Sequence, residues 1–206
     1  MDKLYLITDR KIAKQGILKA IESAIIGGVR FIQLREKDLK GAPLLQLAKE
    51  VRELTGFYNA KLIINDRADI ALLCGADGVH LGQNSFSPKD VRKILGKEKL
   101  IGVSTHSIKE AKAARDSGAD FITFGPVFFT PSKAQYGEPV GIKLLRKVKT
   151  EIEIPVYALG GIKKSNIREV IKAGADGIAL ISAIMGSDNP QDSTIELINE
   201  ISRVTD

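Results

Sequence analysis

Three cationic side chains of this sequence follow short apolar runs. Arg35 and Lys37 come directly after the run that ends at Leu34, and Lys133 lies in the segment after the run that ends at Phe124. Guanidinium and ammonium groups bind phosphate oxygens through charge-assisted hydrogen bonds, each of which contributes about 1.5–3 kcal/mol. One such cation would be an ordinary surface charge, whereas three beside strand ends indicate a clamp for phosphate or diphosphate.

Asp66 and the two histidines allow both functional and structural interpretations. Asp66, which follows Asn65, is suited either to hold Mg²⁺ on a diphosphate or to cap the next helix. His80 and His106 are the only histidines, and an isolated histidine is more often structural than catalytic. His106 directly follows a predicted strand, so it is the better candidate for proton transfer.

Two further segments predict a phosphate-binding cradle. Gly160-Gly161 allows backbone N–H groups to approach a ligand closely, and Ile181-Ser182 opens a short helical turn. In β/α barrels the loops after the seventh and eighth strands commonly bind phosphate. The alternative is that the glycine pair only makes a tight turn.

The elements that position these residues can be predicted from eight apolar runs. The runs are continuous rather than alternating, which is typical of parallel strands covered on both faces. They are Leu4–Thr8, Val29–Leu34, Lys61–Asn65, Gly78–Leu81, Leu100–Ser104, Phe121–Phe124, Val156–Leu159 and Gly177–Ile181. Helix-like segments lie at about 15–27, 42–55, 66–74, 87–96, 107–117, 141–150, 164–173 and 191–203.

A phrase that begins with glycine recurs before four of the predicted strands. It starts at positions 27, 75, 118 and 174, and the last three copies begin Gly-Ala-Asp. Glycine is typical of a helix C-terminal cap, and the residues after it lead into a strand. The recurrence indicates an internal repeat of a βα unit.

Eight strands and eight helices in about 200 residues predict an α/β protein, a single TIM (β/α)8 barrel over residues 1–206. A doubly wound open sheet is the main alternative, but no G-x-G-x-x-G follows the first strand to favour it. The active site of such a barrel lies at the C-terminal ends of the strands, where the candidate residues fall. The longest irregular segment, 125–140, is expected to be functional because long loops in compact barrels usually are.

Composition excludes several classes of protein. The single cysteine, Cys74, excludes an internal disulfide and a multi-cysteine zinc site. There is neither a run of about 18 apolar residues nor a signal-peptide pattern, so we expect no membrane span and a cytoplasmic location. The net charge of +6 favours solubility first and attraction for small anions second. Without a cluster of Lys and Arg, nucleic-acid binding is not expected.

Several motifs together resemble the thiamine phosphate synthase family and its close relatives, the TenI-type thiazole tautomerases. The resemblance runs from Leu-Tyr-Leu-Ile-Thr-Asp at 4–9 to Ile-Ser-Ala-Ile at 181–184. Its other motifs are Gln-Leu-Arg-Glu-Lys at 33–37, Ile-Asn-Asp-Arg at 64–67, Val-His-Leu-Gly-Gln at 79–83, Gly-Val-Ser-Thr-His-Ser at 102–107, Gly-Pro-Val-Phe at 125–128 and Thr-Pro-Ser-Lys at 130–133. The combination is specific, although each motif alone is not.

The synthase resemblance implies a transferase that joins 4-amino-2-methyl-5-pyrimidinylmethyl diphosphate to a thiazole phosphate and releases diphosphate. By position it implies that the pyrimidine diphosphate is held by Gln33, Arg35, Lys37, Asn65, Ser104 and Lys133. Asp66 would bind Mg²⁺. The thiazole phosphate would contact Thr130, Ser132, Gly160, Gly161, Ile181 and Ser182. A homodimer is common among such barrels, although nothing in the sequence marks an interface.

The sequence departs from the synthase pattern at Ser85, where synthases carry a second acidic ligand for Mg²⁺. A hydroxyl is a much poorer partner for Mg²⁺ than a carboxylate, and the stretch from Ser85 to Lys89 looks more like the tautomerase branch. A tautomerase would bind only a carboxythiazole phosphate and use His106 as its acid and base. The cations and Asp66 favour the synthase over this alternative. A non-catalytic regulator is a weaker one.

Overall fold

The strands of this protein close into one parallel barrel. The structure, a computed structural model, describes residues 2–131 and 138–205. Its strands are β1 (Leu4–Ile7), β2 (Phe31–Leu34), β3 (Lys61–Asn65), β4 (Gly78–Leu81), β5 (Leu100–Thr105), β6 (Phe121–Phe124), β7 (Val156–Leu159) and β8 (Gly177–Leu180). Each strand pairs in parallel with the next, and β8 pairs with β1. The predicted (β/α)8 barrel is confirmed.

Helices connect the strands and cover the outside of the barrel. They are α1 (Ile17–Ile26), α2 (Gly41–Phe57), α3 (Ala68–Leu73), α4 (Pro88–Leu95), α5 (Ile108–Asp116), α6 (Gly141–Glu151), α7 (Ile167–Lys172), α8 (Ser182–Met185) and α9 (Pro190–Thr205). A 3₁₀ turn, Lys164–Asn166, precedes α7. Within the described part of the chain, every helix is too short or too polar to cross a lipid bilayer.

Predicted and observed strands agree within two residues at each end. The largest difference is in β2, which begins at Phe31 rather than at Val29. The Val29 N–H donates to the carbonyl of Ala24, 3.1 Å away. An apolar residue before a strand thus still belongs to the turn that ends α1, a distinction that hydrophobicity alone does not make.

The Gly-Ala-Asp repeat ties the bottom of the barrel together. In each copy an aspartate carboxylate accepts the backbone N–H of a residue at the start of the preceding strand. The pairs are Asp77 with Leu62 at 2.7 Å, Asp120 with Ile101 at 2.6 Å and Asp176 with Val156 at 2.7 Å. A cation from the helix before that strand completes each latch, namely Arg52 of α2, Arg92 of α4 and Lys149 of α6. The repeat precedes only even-numbered strands. The repeating unit is therefore two βα pairs rather than the single βα pair that the sequence predicts.

Aromatic rings fill the lower interior of the barrel. Tyr5 and Phe31 stack with ring centroids 4.3 Å apart, and Phe121 meets Tyr5 edge-on at 5.6 Å. All three are at most 1% exposed. They stand on the first or second residue of their strands, so they form a layer below the C-terminal rim.

Candidate active site

The loops after β1 and β2 are joined through a threonine hydroxyl. Thr8 Oγ1 donates to Glu36 Oε1 at 2.7 Å and accepts the Arg35 N–H at 2.9 Å. Glu36 also accepts the Arg10 N–H on both oxygens at 3.1 Å. These bonds fix the backbone that carries Arg35 and Lys37.

Glu36 lies beside the candidate residues Arg35 and Lys37, and the sequence interpretation gave it no role. It is 5% exposed, and burial raises the pKa of its carboxyl, opposed by the hydrogen bonds from Thr8 and Arg10. The sequence did contain a signal for Glu36, because an acid between two cations at a strand end is expected either to pair with them or to hold the loop. Here it braces the loop.

Arg35, Lys37 and Asp66 come together at the rim between β2 and β3. The positive charge of Arg35, followed by partial burial, lowers the pKa of Lys37, and the charge of Asp66 opposes both effects. Lys37 therefore feels one charge of each sign from its neighbours. Such a cluster is suited to an anion that brings more negative charge than Asp66 supplies.

Asp66 does not cap a helix. Helix α3 has Arg67 at its N-cap position, without a side-chain cap bond. The carboxylate of Asp66 instead accepts the hydroxyl of Ser85 at 2.5 Å, while Ser85 Oγ accepts the Gly82 N–H at 2.7 Å. Asp66 is exposed and has a φ of +65°. Non-glycine residues in this left-handed region are uncommon and concentrate at functional sites.

Ser104 lies near the rim on β5 and is held by the neighbouring strand. The Gln83 side chain donates to the carbonyl oxygen of Ser104 at 2.6 Å, and His80 Nε2 lies 3.0 Å from Ser104 Oγ. Asn65 pairs with His80 in the β3–β4 register. Asn65, His80 and Ser104 thus lie on the adjacent strands β3, β4 and β5, toward the C-terminal ends of those strands.

Gln33 and His80 lie inside the barrel rather than on its surface. Gln33 is 1% exposed and donates to the hydroxyl of Tyr5 at 2.8 Å. His80 is 3% exposed, and burial, reinforced by the positive charge of Arg35, lowers its pKa to about 3. The ring is therefore neutral at neutral pH, as expected for a structural rather than a proton-transferring histidine.

His106 is paired with an acid on the helix that follows it, α5. Its Nδ1 lies 3.0 Å from Glu110 Oε2, and its backbone N–H donates to the same oxygen at 2.8 Å. When Nδ1 donates to the carboxylate, Nε2 is the nitrogen that accepts a proton. The half-buried dyad is consistent with the predicted acid–base role of His106.

The glycine pair after β7 packs against the loop that follows β6. Gly160 and Gly161 have φ values of +95° and +64°. A Cβ on Gly161 would lie 2.5 Å from the carbonyl oxygen of Phe129, and one on Gly160 would lie 2.5 Å from the Cβ of Pro126. The close packing supports the interpretation that the glycine pair makes a tight turn, since only glycine fits both positions. Phosphate binding by the N–H groups of this turn stays a prediction.

Ser182 begins the short helix α8, as the sequence predicts, and Ile181 is its N-cap residue. The N–H groups of Ile184 and Met185 both donate to the carbonyl of Ile181. The N–H groups of Ser182 and Ala183, which precede these two, have no acceptor within the helix. Thr130 is half-buried in the loop after β6. Ser132 and Lys133 lie outside the described residues.

Comparisons with known proteins give the family of this chain. A model of the family described as thiamine monophosphate synthase matches residues 4–184. The chain belongs to this family. It is 55% identical over 196 residues to a Geobacter sulfurreducens protein whose name assigns it provisionally as a thiamine-phosphate synthase, with 95% of this chain and 92% of the relative covered. It is 45% identical over 198 residues to the thiamine-phosphate synthase of Clostridium novyi, with 96% and 97% covered.

A solved structure of a thiamine phosphate pyrophosphorylase from Pyrococcus furiosus superposes with a TM-score of 0.91 at 38% identity. The alignment covers 99% of this chain and 97% of that one. The resemblance inferred from the motifs to the thiamine monophosphate synthase family is therefore confirmed. The matched span, 4–184, contains every candidate residue from Gln33 to Ser182.

Proposed function

We propose that this protein is a thiamine phosphate synthase. It condenses 4-amino-2-methyl-5-pyrimidinylmethyl diphosphate with a thiazole phosphate to give thiamine phosphate and diphosphate. The observation that carries the proposal is the meeting of Arg35, Lys37 and Asp66 at one edge of the rim. This edge has the charges needed to hold a diphosphate. The names of the relatives support the same activity.

The diphosphate is the leaving group, so the site must stabilise the charge that develops on it. In the family's dissociative chemistry, the bond between the pyrimidine methylene and the diphosphate oxygen breaks, and the thiazole nitrogen captures the carbocation. Arg35, Lys37 and Lys133 supply the positive charge, and Ser104 supplies a hydroxyl donor. Preorganised donors of this kind commonly contribute the largest share of catalysis. The hydrogen bonds of the Thr8 hydroxyl with Glu36 and with the Arg35 N–H hold the backbone of Arg35 in place before substrate binds.

The residues present fit a Mg²⁺ ion that is bound together with the diphosphate. Mg²⁺ is usually held by one or two carboxylates, substrate phosphates and waters. Asp66 offers one exposed carboxylate, and the hydroxyl of Ser85 donates to it. Among residues 2–131 and 138–205, no cluster of three His, Cys, Asp or Glu side chains is present. Substrate phosphates and waters would complete the site, and the ion would neutralise charge on the leaving diphosphate.

The thiazole phosphate is assigned to the opposite edge of the rim. Backbone N–H groups of Gly161 and Ser182 would bind its oxygens, with Thr130 and Ser132 from the loop after β6. The contact between that loop and the glycine pair supports this assignment, because loop and cradle are held as one unit. We also propose a cytoplasmic location, as befits a chain whose one cysteine is a buried thiol.

The decisive assay combines purified protein, Mg²⁺, the pyrimidine diphosphate and the decarboxylated thiazole phosphate. We expect thiamine phosphate to form, and Arg35→Ala and Lys133→Ala to reduce kcat/KM by about 10-fold or more, since each removes a charge-assisted bond. Lys19→Ala, which removes an exposed cation on α1, is the matched control and should retain activity. Ligand binding without any turnover would favour the non-catalytic regulator instead.

The thiazole tautomerase is the second candidate, and the His106–Glu110 dyad favours it. A tautomerase would isomerise carboxythiazole phosphate, with His106 moving the proton. The test is isomerisation of that substrate by wild-type protein and by His106→Ala. Isomerisation that disappears in the variant, together with no formation of thiamine phosphate, would replace the synthase proposal. Unchanged synthase activity in His106→Ala would leave the dyad without a role in condensation.

A further inference from the structure

A chain of polar side chains crosses the barrel interior above the aromatic layer. Gln33 Nε2 donates to the Tyr5 hydroxyl at 2.8 Å, which lies 3.4 Å from His80 Nδ1. His80 Nε2 in turn lies 3.0 Å from Ser104 Oγ and 3.3 Å from Thr123 Oγ1. All of these residues except Ser104 are at most 3% exposed. The chain therefore begins in the core and ends at a hydroxyl near the rim.

The hydrogen bonds in this chain can all run in one direction, from Gln33 toward the rim. The Gln33 amide nitrogen can only donate, so the Tyr5 oxygen accepts and its own proton is directed to His80 Nδ1. A neutral imidazole that accepts at Nδ1 carries its proton on Nε2. Nε2 then donates to Ser104 Oγ. The Ser104 hydroxyl, being satisfied as an acceptor, keeps its proton for an acceptor at the rim.

Ser104 is also fixed through its backbone, and the ring of His80 has a prepared space. The Gln83 side chain donates to the Ser104 carbonyl oxygen at 2.6 Å. A Cβ on Gly102 would lie 2.6 Å from His80 Nδ1, so a larger residue there would displace the ring. Two residues of one four-residue segment, His80 and Gln83, thus hold the side chain and the backbone of the same serine.

We propose that His80 is a positioning residue that orients the Ser104 hydroxyl as a donor to the leaving diphosphate. The inference rests on the proposed synthase function. His80 does not touch the substrate in this scheme, because it lies beneath Ser104. Its effect passes through one hydrogen bond, and Tyr5 and Gln33 set the direction of that bond. Polar groups in a barrel core that serve only packing would not require a link to the rim.

Two amide variants separate the two nitrogens of the ring. His80→Gln places its amide near the position of Nε2, so it retains a donor toward Ser104. His80→Asn places its amide near Nδ1, so it contacts Tyr5 but not Ser104. We expect His80→Asn to lower kcat by about 10-fold or more and to weaken binding of inorganic diphosphate with Mg²⁺, measured by titration calorimetry. His80→Gln should stay within about 3-fold of wild type in both measurements.

The double variant shows whether the effect passes through Ser104. In a Ser104→Ala background, His80→Asn should cause no further loss of kcat or of diphosphate binding. Thermal melting of each variant identifies any that does not fold, and in that case the comparison of His80→Gln with wild type still applies. Binding of inorganic phosphate at the thiazole edge should be equal in all variants.

Specific outcomes overturn the inference without touching the proposed function. One is a folded His80→Asn protein with wild-type kcat and diphosphate affinity while Ser104→Ala is impaired. Another is a loss caused by His80→Asn that is equally large with and without Ser104. Failure of the wild-type protein to form thiamine phosphate would instead refute the synthase proposal. In that case, diphosphate binding by the variants would test separately whether His80 orients the Ser104 hydroxyl.

Discussion

Replacing Ser85 with aspartate should convert the proposed single-carboxylate Mg²⁺ site into a two-carboxylate site. Ser85 Oγ lies 2.5 Å from Asp66 Oδ1 and accepts the Gly82 N–H at 2.7 Å. A carboxylate at position 85 can still accept that N–H. It therefore stands beside Asp66 without rearrangement of the loop. The direct hydroxyl–carboxylate bond is exchanged for repulsion between two charges unless a cation intervenes.

Coulomb's law gives the size of both effects. Two unit charges about 4 Å apart interact by about 1 kcal/mol in water and about 4 kcal/mol at an effective dielectric of 20. Asp66 is exposed, so the lower figure applies. Ser85→Asp should thus destabilise the metal-free protein by about 1 kcal/mol. The attraction of the new carboxylate for a divalent ion is about twice as large, which corresponds to about 30-fold tighter binding of Mg²⁺.

Titration calorimetry with Mg²⁺ and urea denaturation in EDTA measure the two effects. Ser85→Asn is the matched control, since its side chain has the same shape without the charge. We expect the control to bind Mg²⁺ no more tightly than wild type. The concentration of Mg²⁺ that gives half-maximal thiamine phosphate synthesis should fall in parallel with the dissociation constant of Ser85→Asp.

An equal Mg²⁺ affinity in Ser85→Asp and Ser85→Asn would refute the assignment. It would mean that Asp66 and position 85 do not face the same ion. A large drop in metal-free stability without any gain on addition of Mg²⁺ would lead to the same conclusion, because repulsion would be present without a site.

Three further predictions follow from the fold and the buried groups. Asp120→Asn should lower the free energy of unfolding by about 1.5–3 kcal/mol in urea, because the latch loses its charged acceptor; Asp116→Asn, at an exposed pair, should change it by less than about 0.5 kcal/mol. Gly161→Ala should abolish most activity, since the loop backbone lies where the Cβ would go. Gly118 has a similar positive φ, and no described residue lies within 4 Å of an added Cβ there, so Gly118→Ala should stay active. Equal losses in both variants would remove the close-approach argument. Because the folded-state pKa of His80 is depressed from 6.5 to about 3, the unfolded chain binds more protons between those values, so stability should fall by about 1.4 kcal/mol per pH unit as pH drops below 6.5. A melting series in metal-free buffer should show that this added slope is missing in His80→Gln.

Much of the fold can be predicted from local hydrophobicity. Strands β3, β4, β6 and β7 have the predicted bounds. A parallel strand in a barrel is covered on both faces, so its amino-acid sequence is one continuous apolar run. Closure follows from counting eight such runs with helices between them. The rim residues are then located as the polar residues that end each run.

The role of Asp66 is different, because its type and position fit a helix cap and a metal ligand equally well. The choice depends on φ at that residue and on the position of Ser85, which lies in the loop after β4. Likewise, nothing local distinguishes His80 from an ordinary core histidine. Its link to Ser104 exists only because β4 and β5 are neighbours in register.

The sequence by itself determined which residues form strands, which polar groups stand at strand ends and, through its motifs, the family. Those properties depend on hydrophobic burial along short segments, which is additive and local. Only the tertiary structure decided which partners the polar groups take. Hydrogen bonds require distances near 3 Å, and parallel strands bring together residues such as Tyr5 and His80 that are 75 positions apart. No pattern within one segment specifies those pairs.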